Sequence, residues 1–142
     1  MPRSSPLSAN NALWPSLRIC EELLKQGLAL DILPVVVREK AVTKAATAGP
    51  GKRPGPAEHY ESCRVNLKQL PFIAARITLV DDVITQGSTF LGIYPLVQEA
   101  FSRSKINCFA LIRTMSGVSI DAMLDPVRGK IIFAQGTFLR NP

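Results

Sequence analysis

Ile77-Thr78-Leu79-Val80-Asp81-Asp82-Val83-Ile84-Thr85-Gln86-Gly87-Ser88-Thr89 is the most informative segment of this chain. It begins as an apolar run rich in β-branched residues. This run predicts a buried parallel strand over 77–82, with two adjacent carboxylates at its carboxyl end. A short turn rich in hydroxyl groups follows, and apolar residues at helical spacing then predict a helix over 88–102. The predicted unit is therefore a strand, an acidic pair, a turn and a helix.

The turn has the chemistry of a site for a phosphorylated sugar. Ligands of open α/β sheets bind beyond the carboxyl ends of the strands, and a helix amino terminus offers N–H groups to phosphate. Gly87 allows the backbone to approach an anion closely, and the hydroxyls of Thr85, Ser88 and Thr89 can donate to phosphate oxygens. The acidic pair can accept from sugar hydroxyls or bind a hard cation such as Mg²⁺. The alternative is structural: one Asp and one hydroxyl that only cap the next helix.

Val80-Asp81-Asp82-Val83-Ile84-Thr85-Gln86-Gly87-Ser88-Thr89 resembles the phosphoribosyl-pyrophosphate (PRPP) motif of type I phosphoribosyltransferases, in particular the ComF-like branch. The resemblance implies a three-layer α/β fold with a mainly parallel sheet. It also implies that Asp81 and Asp82 are catalytic and hold the ribose hydroxyls, while the turn holds the 5′-phosphate. The PRPP-binding residues implied are Asp81, Asp82, Val83, Ile84, Thr85, Gln86, Gly87, Ser88 and Thr89. Gln86 departs from the family pattern, in which a second Thr is common.

The reaction implied by the resemblance displaces pyrophosphate from C1 of PRPP by a nitrogen of a base or amine. Basic residues would meet the pyrophosphate or close over it. They are Arg3 or Ser4 near the amino terminus, Arg38 and Lys40 after a predicted strand over 30–37, and Lys44, Lys52 and Arg53. The last three lie in residues 41–59, whose Gly and Pro content predicts a flexible loop suited to a lid. Mg²⁺ would be bound mainly through PRPP, with Asp81 and Asp82 as further candidate ligands. The alternative for Arg38 and Lys40 is a solvated strand end. The alternative for residues 41–59 is a disordered insertion.

The remaining pattern predicts one α/β domain over residues 1–142. Helical spacing of apolar residues predicts a helix over 12–26, with Trp14 in the core and Gly27 just past the end. Further strands are predicted over 62–67, 106–112 and 130–134, of which the first is an edge strand. The resemblance implies that this edge strand runs antiparallel. Gln135-Gly136 is predicted to turn the chain to a short tail, and a short helical turn is predicted at Asp121 to Leu124. Two roles stay open for His59 and Tyr60, which are contact with the acceptor base and a place at the surface or in the core. The resemblance makes Thr114 to Gly117 a candidate acceptor site.

The first strand of the family's sheet has no counterpart in this sequence. Met1-Pro2-Arg3-Ser4-Ser5 resembles the end of that strand and the beginning of its pyrophosphate loop. We therefore expect a chain truncated at its amino terminus, or one whose true start lies upstream, with a gap between the strands at 32–37 and 77–82.

Composition narrows the function classes. The 142 residues are 46% hydrophobic and 20% charged, with three Cys and one His, so a zinc site and a Ser-His-Asp centre have no basis. The odd number of scattered cysteines argues against a disulfide framework and therefore predicts a reducing, cytoplasmic location. The sequence has neither a membrane-length apolar run nor a secretory start, which predicts no membrane partner. The net charge of +6 is spread along the chain, which favours a small polyanionic substrate over nucleic acid. A homodimer stays open, and the rival function is a non-catalytic PRPP or nucleotide sensor, or a nucleic-acid-binding module.

Overall fold

The computed structural model describes residues 1–2, 14–40, 54–68, 74–114, 128–134 and 137–141, which form α-helices and small β-sheets. The helices are α1 (Pro15–Lys25), α2 (Pro56–Ser62) and α3 (Ser88–Ala100), and the strands are β1 (Val36–Arg38), β2 (Cys63–Val65), β3 (Arg76–Ile84), β4 (Lys105–Arg113), β5 (Lys130–Ala134) and β6 (Thr137–Asn141). Within these residues β1 pairs with β2 and β5 with β6, both antiparallel, while β3 pairs with β4 in parallel. The class is therefore α/β, as predicted.

The unit β3–α3–β4 follows the order predicted from the sequence. The parallel ladder runs from the pair Arg76 and Lys105 to the pair Ile84 and Arg113. β3 continues two residues past the predicted end at Asp82. Val83 and Ile84 are β-branched and lie opposite residues of β4, so they extend the ladder. The acidic pair therefore lies within β3 rather than beyond its end.

The core lies between α3 and the strands. Phe90, Ile93, Val97 and Phe101 are buried along the face of α3 that their spacing predicts, and they pack with Leu79 and Cys63. Tyr94, predicted on the same face, is 39% exposed and donates to Gln98 Oε1 at 3.1 Å. α3 is continuous across Pro95. In the part of the chain that the structure describes, none of the helices combines the length and apolar character needed to cross a membrane.

The end of the predicted lid is a helix instead. α2 begins at Pro56, inside the predicted loop over 41–59, because proline suits the first helical position and Glu58 Oε2 accepts the Gly55 N–H at 2.9 Å. The loop prediction is therefore wrong for residues 56–59. Residues 41–53 lie outside the described residues, and so do Asp121 to Leu124.

The predicted strand over 30–37 is shorter than expected and forms at Val36–Arg38. Pro34 has no N–H for a ladder, and β1 begins only after it. β2 pairs antiparallel with β1, as predicted, with Cys63 buried and Arg64 exposed. The predicted tail is also different, since residues 137–141 form β6 and pair back on β5.

The amino terminus contacts β3. The amino group of Met1 donates to the carbonyl oxygen of Val80 at 2.5 Å, and Trp14 Nε1–H donates to the carbonyl oxygen of Met1 at 2.9 Å. α1 begins at Pro15 rather than at residue 12 and has Trp14 at its N-cap. It ends as predicted, with Gly27 at φ 72°. Met1 therefore occupies part of a β3 edge, and β1 and β3 share no ladder among the described residues.

Gly92 is the point of close approach between α2 and α3. A Cβ at this position would lie 2.6 Å from His59 Cβ and closer still to the carbonyl oxygen of Pro56. We expect Gly92→Ala to lower the free energy of unfolding by about 2 kcal/mol, although alanine favours a helix. Urea unfolding measures this change. Gly55→Ala is the control, because its Cβ would meet nothing within 4 Å. Equal losses in the two variants would contradict the close approach.

Candidate functional site

Asp81 and Asp82 are adjacent residues of β3, so their side chains point to opposite faces of the strand. Asp81 Oδ1 accepts a hydrogen bond from Ser16 Oγ of α1 at 3.2 Å. Asp82 Oδ1 accepts the N–H of Val83 at 2.9 Å, on the exposed side. The two carboxylates therefore have separate partners: a side chain distant in sequence holds Asp81, and the local backbone holds Asp82.

The carboxyl of Asp81 lies in a partly buried environment. Burial raises its pKa to about 6, and the neighbouring charge of Asp82 acts in the same direction. The Met1 ammonium and the hydrogen bond from Ser16 oppose this shift by favouring the charged form. Burial also lowers the pKa of the Met1 ammonium, and the charge of Asp81 partly offsets that effect. Asp81 is consequently ionised at neutral pH but at a cost in stability, which is typical of functional carboxyls.

The turn after β3 contains a left-handed glycine. Gly87 has φ 81° and is the N-cap of α3, and its carbonyl oxygen accepts the N–H of Leu91 at 3.0 Å. The first turn of α3 contains no acidic residue, so no local carboxylate competes for its N–H groups. Thr85, Ser88 and Thr89 are half-buried around this turn, and Gln86 is exposed.

Ile131 of β5 covers one side of the turn, a contact that the sequence did not predict. A Cβ added to Gly87 would lie 2.6 Å from Ile131 Cδ1 and 2.9 Å from Ile131 Cγ2. Ile131 also packs against the core cluster below α3. The absence of a side chain at Gly87 therefore has two uses, a left-handed backbone and room for Ile131.

Arg38 does not have the exposed position that a strand end predicts. It is buried, its Nη1 donates to Ser62 Oγ at 2.6 Å, and its Nη2 lies 3.4 Å from His59 Nδ1. Burial lowers its pKa, while the charges of Cys63 and Asp81 raise it. α2 therefore covers the end of β1 and takes Arg38 into a polar cluster, which sequence spacing alone did not indicate.

The other predicted basic residues are placed differently. Lys40 is exposed after β1, as expected of a group that meets an anion. Five further candidates lie outside the described residues: Arg3, Ser4, Lys44, Lys52 and Arg53. Thr114 is exposed at the end of β4, where its N–H donates to the carbonyl oxygen of Ile84 at 3.0 Å, and residues 115–117 lie outside the described residues.

Of the roles that the sequence leaves open for His59, the structure shows the one in the core. It is 6% exposed, and burial together with the charge of Arg38 lowers its pKa to about 4. A neutral ring can accept from the guanidinium through Nδ1, whereas a protonated ring would place two cations side by side. Tyr60, the next residue, is 40% exposed.

This arrangement predicts a pH effect on stability. The pKa of His59 is about 4 in the folded chain and near 6.5 in the unfolded chain, so the unfolded chain binds the proton first. The free energy of unfolding should therefore fall by roughly 2 kcal/mol from this residue as the pH drops from 6.5 to 4. Asp81 acts in the opposite direction, because its folded pKa is raised. Chemical unfolding of the wild type and His59→Gln across this range isolates the histidine contribution, and identical pH slopes would refute it.

The acidic pair does not form a metal site by itself. Its two carboxylates project from opposite faces of β3 and do not converge on one ion. Among the described residues there is also no group of three or more His, Cys, Asp or Glu side chains placed to hold a metal. A Mg²⁺ ion at this site would therefore need phosphate oxygens of its ligand as the main donors.

Ser16 is a site residue that sequence reasoning missed. The predicted stripe of α1 consisted of Leu13, Leu17, Cys20 and Leu24, yet the buried residue of α1 is Ser16. A serine in the first turn of a helix is common, so no local signal singled it out. Its importance appears only when Asp81 is placed beside it.

No protein-family model, curated protein sequence or solved structure matches this chain. The features of this chain that bear on its function are therefore the motif residues and their geometry. These are an acidic pair in β3, a left-handed glycine and the amino end of α3.

Proposed function

We propose that this protein is a type I phosphoribosyltransferase with the three-layer, mainly parallel fold of that family. It binds PRPP at the turn over 85–89 and transfers the phosphoribosyl group to a base or amine. The observation that carries the proposal is the left-handed Gly87 between the acid-bearing strand β3 and the amino end of α3. A helix-capping role alone requires neither this glycine nor two consecutive carboxylates.

The phosphate end of PRPP is bound by the start of α3 in this proposal. The first N–H groups of the helix lack partners within the helix, and they carry the positive end of its dipole. The left-handed backbone of Gly87 leads the chain directly into α3, and Ser88 and Thr89 add hydroxyl donors. The missing acidic residue in the first turn of α3 supports this role, because a carboxylate there would repel phosphate.

The acidic pair serves the ribose in two ways. The hydrogen bond of Asp82 lies on the exposed side of β3, so its carboxylate can accept a ribose hydroxyl directly. Asp81 is partly buried, so water screens its charge poorly. A negative charge in such a position stabilises the positive charge that develops on the ribose as the bond to pyrophosphate breaks.

The pyrophosphate end is met by basic residues and by one serine. Lys40 is exposed at the end of β1, and Arg3, Ser4, Lys44, Lys52 and Arg53 are proposed for the same contact or for closure over it. Mg²⁺ carried by PRPP would neutralise the leaving pyrophosphate. Arg38 is buried against Ser62 and His59, so its guanidinium is not among the exposed groups proposed for this contact.

Pyrophosphate release from PRPP with a panel of bases and amines tests the activity. Binding of RNA and DNA at two salt concentrations is measured in parallel. Turnover with at least one acceptor supports the transferase. Nucleic-acid binding with a steep salt dependence and no turnover supports the rival module, because phosphate contacts release counterions.

A further inference from the structure

Ser16 has a buried hydroxyl that donates a hydrogen bond to a carboxylate. It is 5% exposed and lies in the first turn of α1, directly after Pro15. A buried hydroxyl without a hydrogen bond is costly, and Ser16 Oγ meets this need by donating to Asp81 Oδ1 at 3.2 Å. The two residues are 65 positions apart in sequence, so the contact joins two separate elements.

The beginning of α1 is attached to β3 at two consecutive residues. Trp14 donates to the carbonyl oxygen of Met1, and the amino group of Met1 donates to the carbonyl oxygen of Val80. Ser16 then donates to the next residue of β3, Asp81. These contacts hold the start of α1 beside Val80 and Asp81, so the hydroxyl of Ser16 lies within hydrogen-bond distance of the Asp81 carboxylate.

We propose that Ser16 is a positioning residue of the PRPP site, which holds the carboxylate of Asp81 in the orientation that serves the ribose. This inference rests on the proposed function. Asp81 has alternative side-chain rotamers, and the hydrogen bond to Ser16 selects one of them. Asp82 does not depend on Ser16, because its carboxylate accepts from the Val83 N–H. The loss of the Ser16 hydroxyl should thus disturb one member of the acidic pair and leave the other in place.

The same hydrogen bond favours the charged form of Asp81. Removal of a donor to a carboxylate raises its pKa, so Ser16→Ala should shift the ionisation of Asp81 to higher pH. The other charged groups that act on Asp81 are the Met1 ammonium, Asp82 on the same strand and Arg38 on β1. Ser16→Ala changes none of these three groups, so a pH shift in the variant reports the hydroxyl.

The test compares three variants of the full chain, each with any tag at the carboxyl terminus so that the Met1 amino group stays unmodified. Ser16→Ala removes the hydroxyl, and Ser16→Thr restores it. Ser104→Ala is the matched control, because Ser104 is also 5% exposed and donates to a carbonyl oxygen, that of Ala74. It lies before the first residue of β4, about 20 Å along the strands from Asp81.

Titration calorimetry with PRPP and Mg²⁺ between pH 5 and 8 gives the affinity of each variant. We expect Ser16→Ala to bind PRPP about fivefold more weakly at pH 7 and to shift the pH midpoint of binding upward by about half a unit. Ser16→Thr should recover most of the affinity, and Ser104→Ala should keep the wild-type pH midpoint. Equal affinity and midpoint in folded Ser16→Ala and wild type, or equal losses in Ser16→Ala and Ser104→Ala, would overturn the positioning role.

A measurement without ligand separates this inference from the proposed function. Carbon NMR of the Asp81 carboxyl follows its titration in the wild type and in Ser16→Ala. An upward shift in the variant supports the inference, and an unchanged titration overturns it, whether or not PRPP binds. A wild type that binds no PRPP would instead refute the proposed function.

Discussion

Asp81→Asn combined with Asp82→Asn is expected to abolish PRPP binding while the chain keeps its fold. The amides retain size, but they accept hydrogen bonds from the ribose hydroxyls more weakly than carboxylates do. Neither carboxylate is needed for packing, since Asp82 contacts local backbone and Asp81 receives one hydroxyl. Calorimetric titration with PRPP and Mg²⁺ measures the loss. Unchanged affinity in the folded double variant would refute the ribose role.

The single substitution Asp81→Asn is expected to stabilise the chain at pH 7. Because burial raises the pKa of Asp81 to about 6, its ionisation disfavours the folded state as the pH rises from about 4 to 6. An amide carries no charge and still accepts from Ser16, so the free energy of unfolding should rise by about 2 kcal/mol. Asp31→Asn is the control, because Asp31 is exposed and its Oδ1 accepts a hydrogen bond from the N–H of Ile32. Loss of stability in Asp81→Asn would contradict the cost of this charge.

Gly87→Ala is expected to have the largest effect on stability and to remove PRPP binding. The residue has φ 81°, a backbone that disfavours side chains, and its Cβ would lie 2.6 Å from Ile131 Cδ1. We expect a loss of about 3 kcal/mol in the free energy of unfolding, of which roughly half is backbone strain and the rest crowding. Loss of PRPP binding follows because the turn must shift to relieve the contact with Ile131, which displaces the amino end of α3 that would bind the phosphate. Urea unfolding and calorimetry measure both effects.

Gly27→Ala provides the control for backbone strain. Gly27 has a similar φ of 72°, but its Cβ would meet nothing within 4 Å. It should therefore lose only about 1–2 kcal/mol and keep PRPP binding. Adding Ile131→Ala to Gly87→Ala should recover the part due to crowding, since coupled neighbours are not additive. Equal losses in the free energy of unfolding at Gly27 and Gly87 would show that the side chain of Ile131 moves aside without destabilising the fold.

The sequence was sufficient for the parts of the fold whose information is local. The strand, turn and helix from β3 to α3 are contiguous, and the positive φ of Gly87 is what a glycine at such a turn indicates. The buried face of α3 followed from its spacing. The class α/β was also predictable, whereas the three-layer arrangement with a mainly parallel sheet stays a proposal, because the one parallel pair described is β3 with β4.

The parts that the sequence did not predict depend on contacts between distant segments. Arg38 follows a strand and was expected at a ligand edge, but Ser62 and His59 of α2 take its guanidinium into the interior. Ser16 carries no local signal, and only its partner on β3 makes it a site residue. Residues 137–141 were predicted to be a tail, whereas they form β6, because a strand of five residues is stabilised by its pairing with β5.

The most direct test of the PRPP site is an NMR titration of the isotope-labelled chain with PRPP and Mg²⁺. The proposal predicts that the backbone amide signals of Gly87, Ser88 and Thr89 shift most, since these groups would donate to the phosphate. The exposed residues of α1, such as Arg18 and Glu21, serve as an internal reference that should not move. Binding of PRPP with no shift at the turn, or no binding at millimolar PRPP, would contradict the proposed phosphate site.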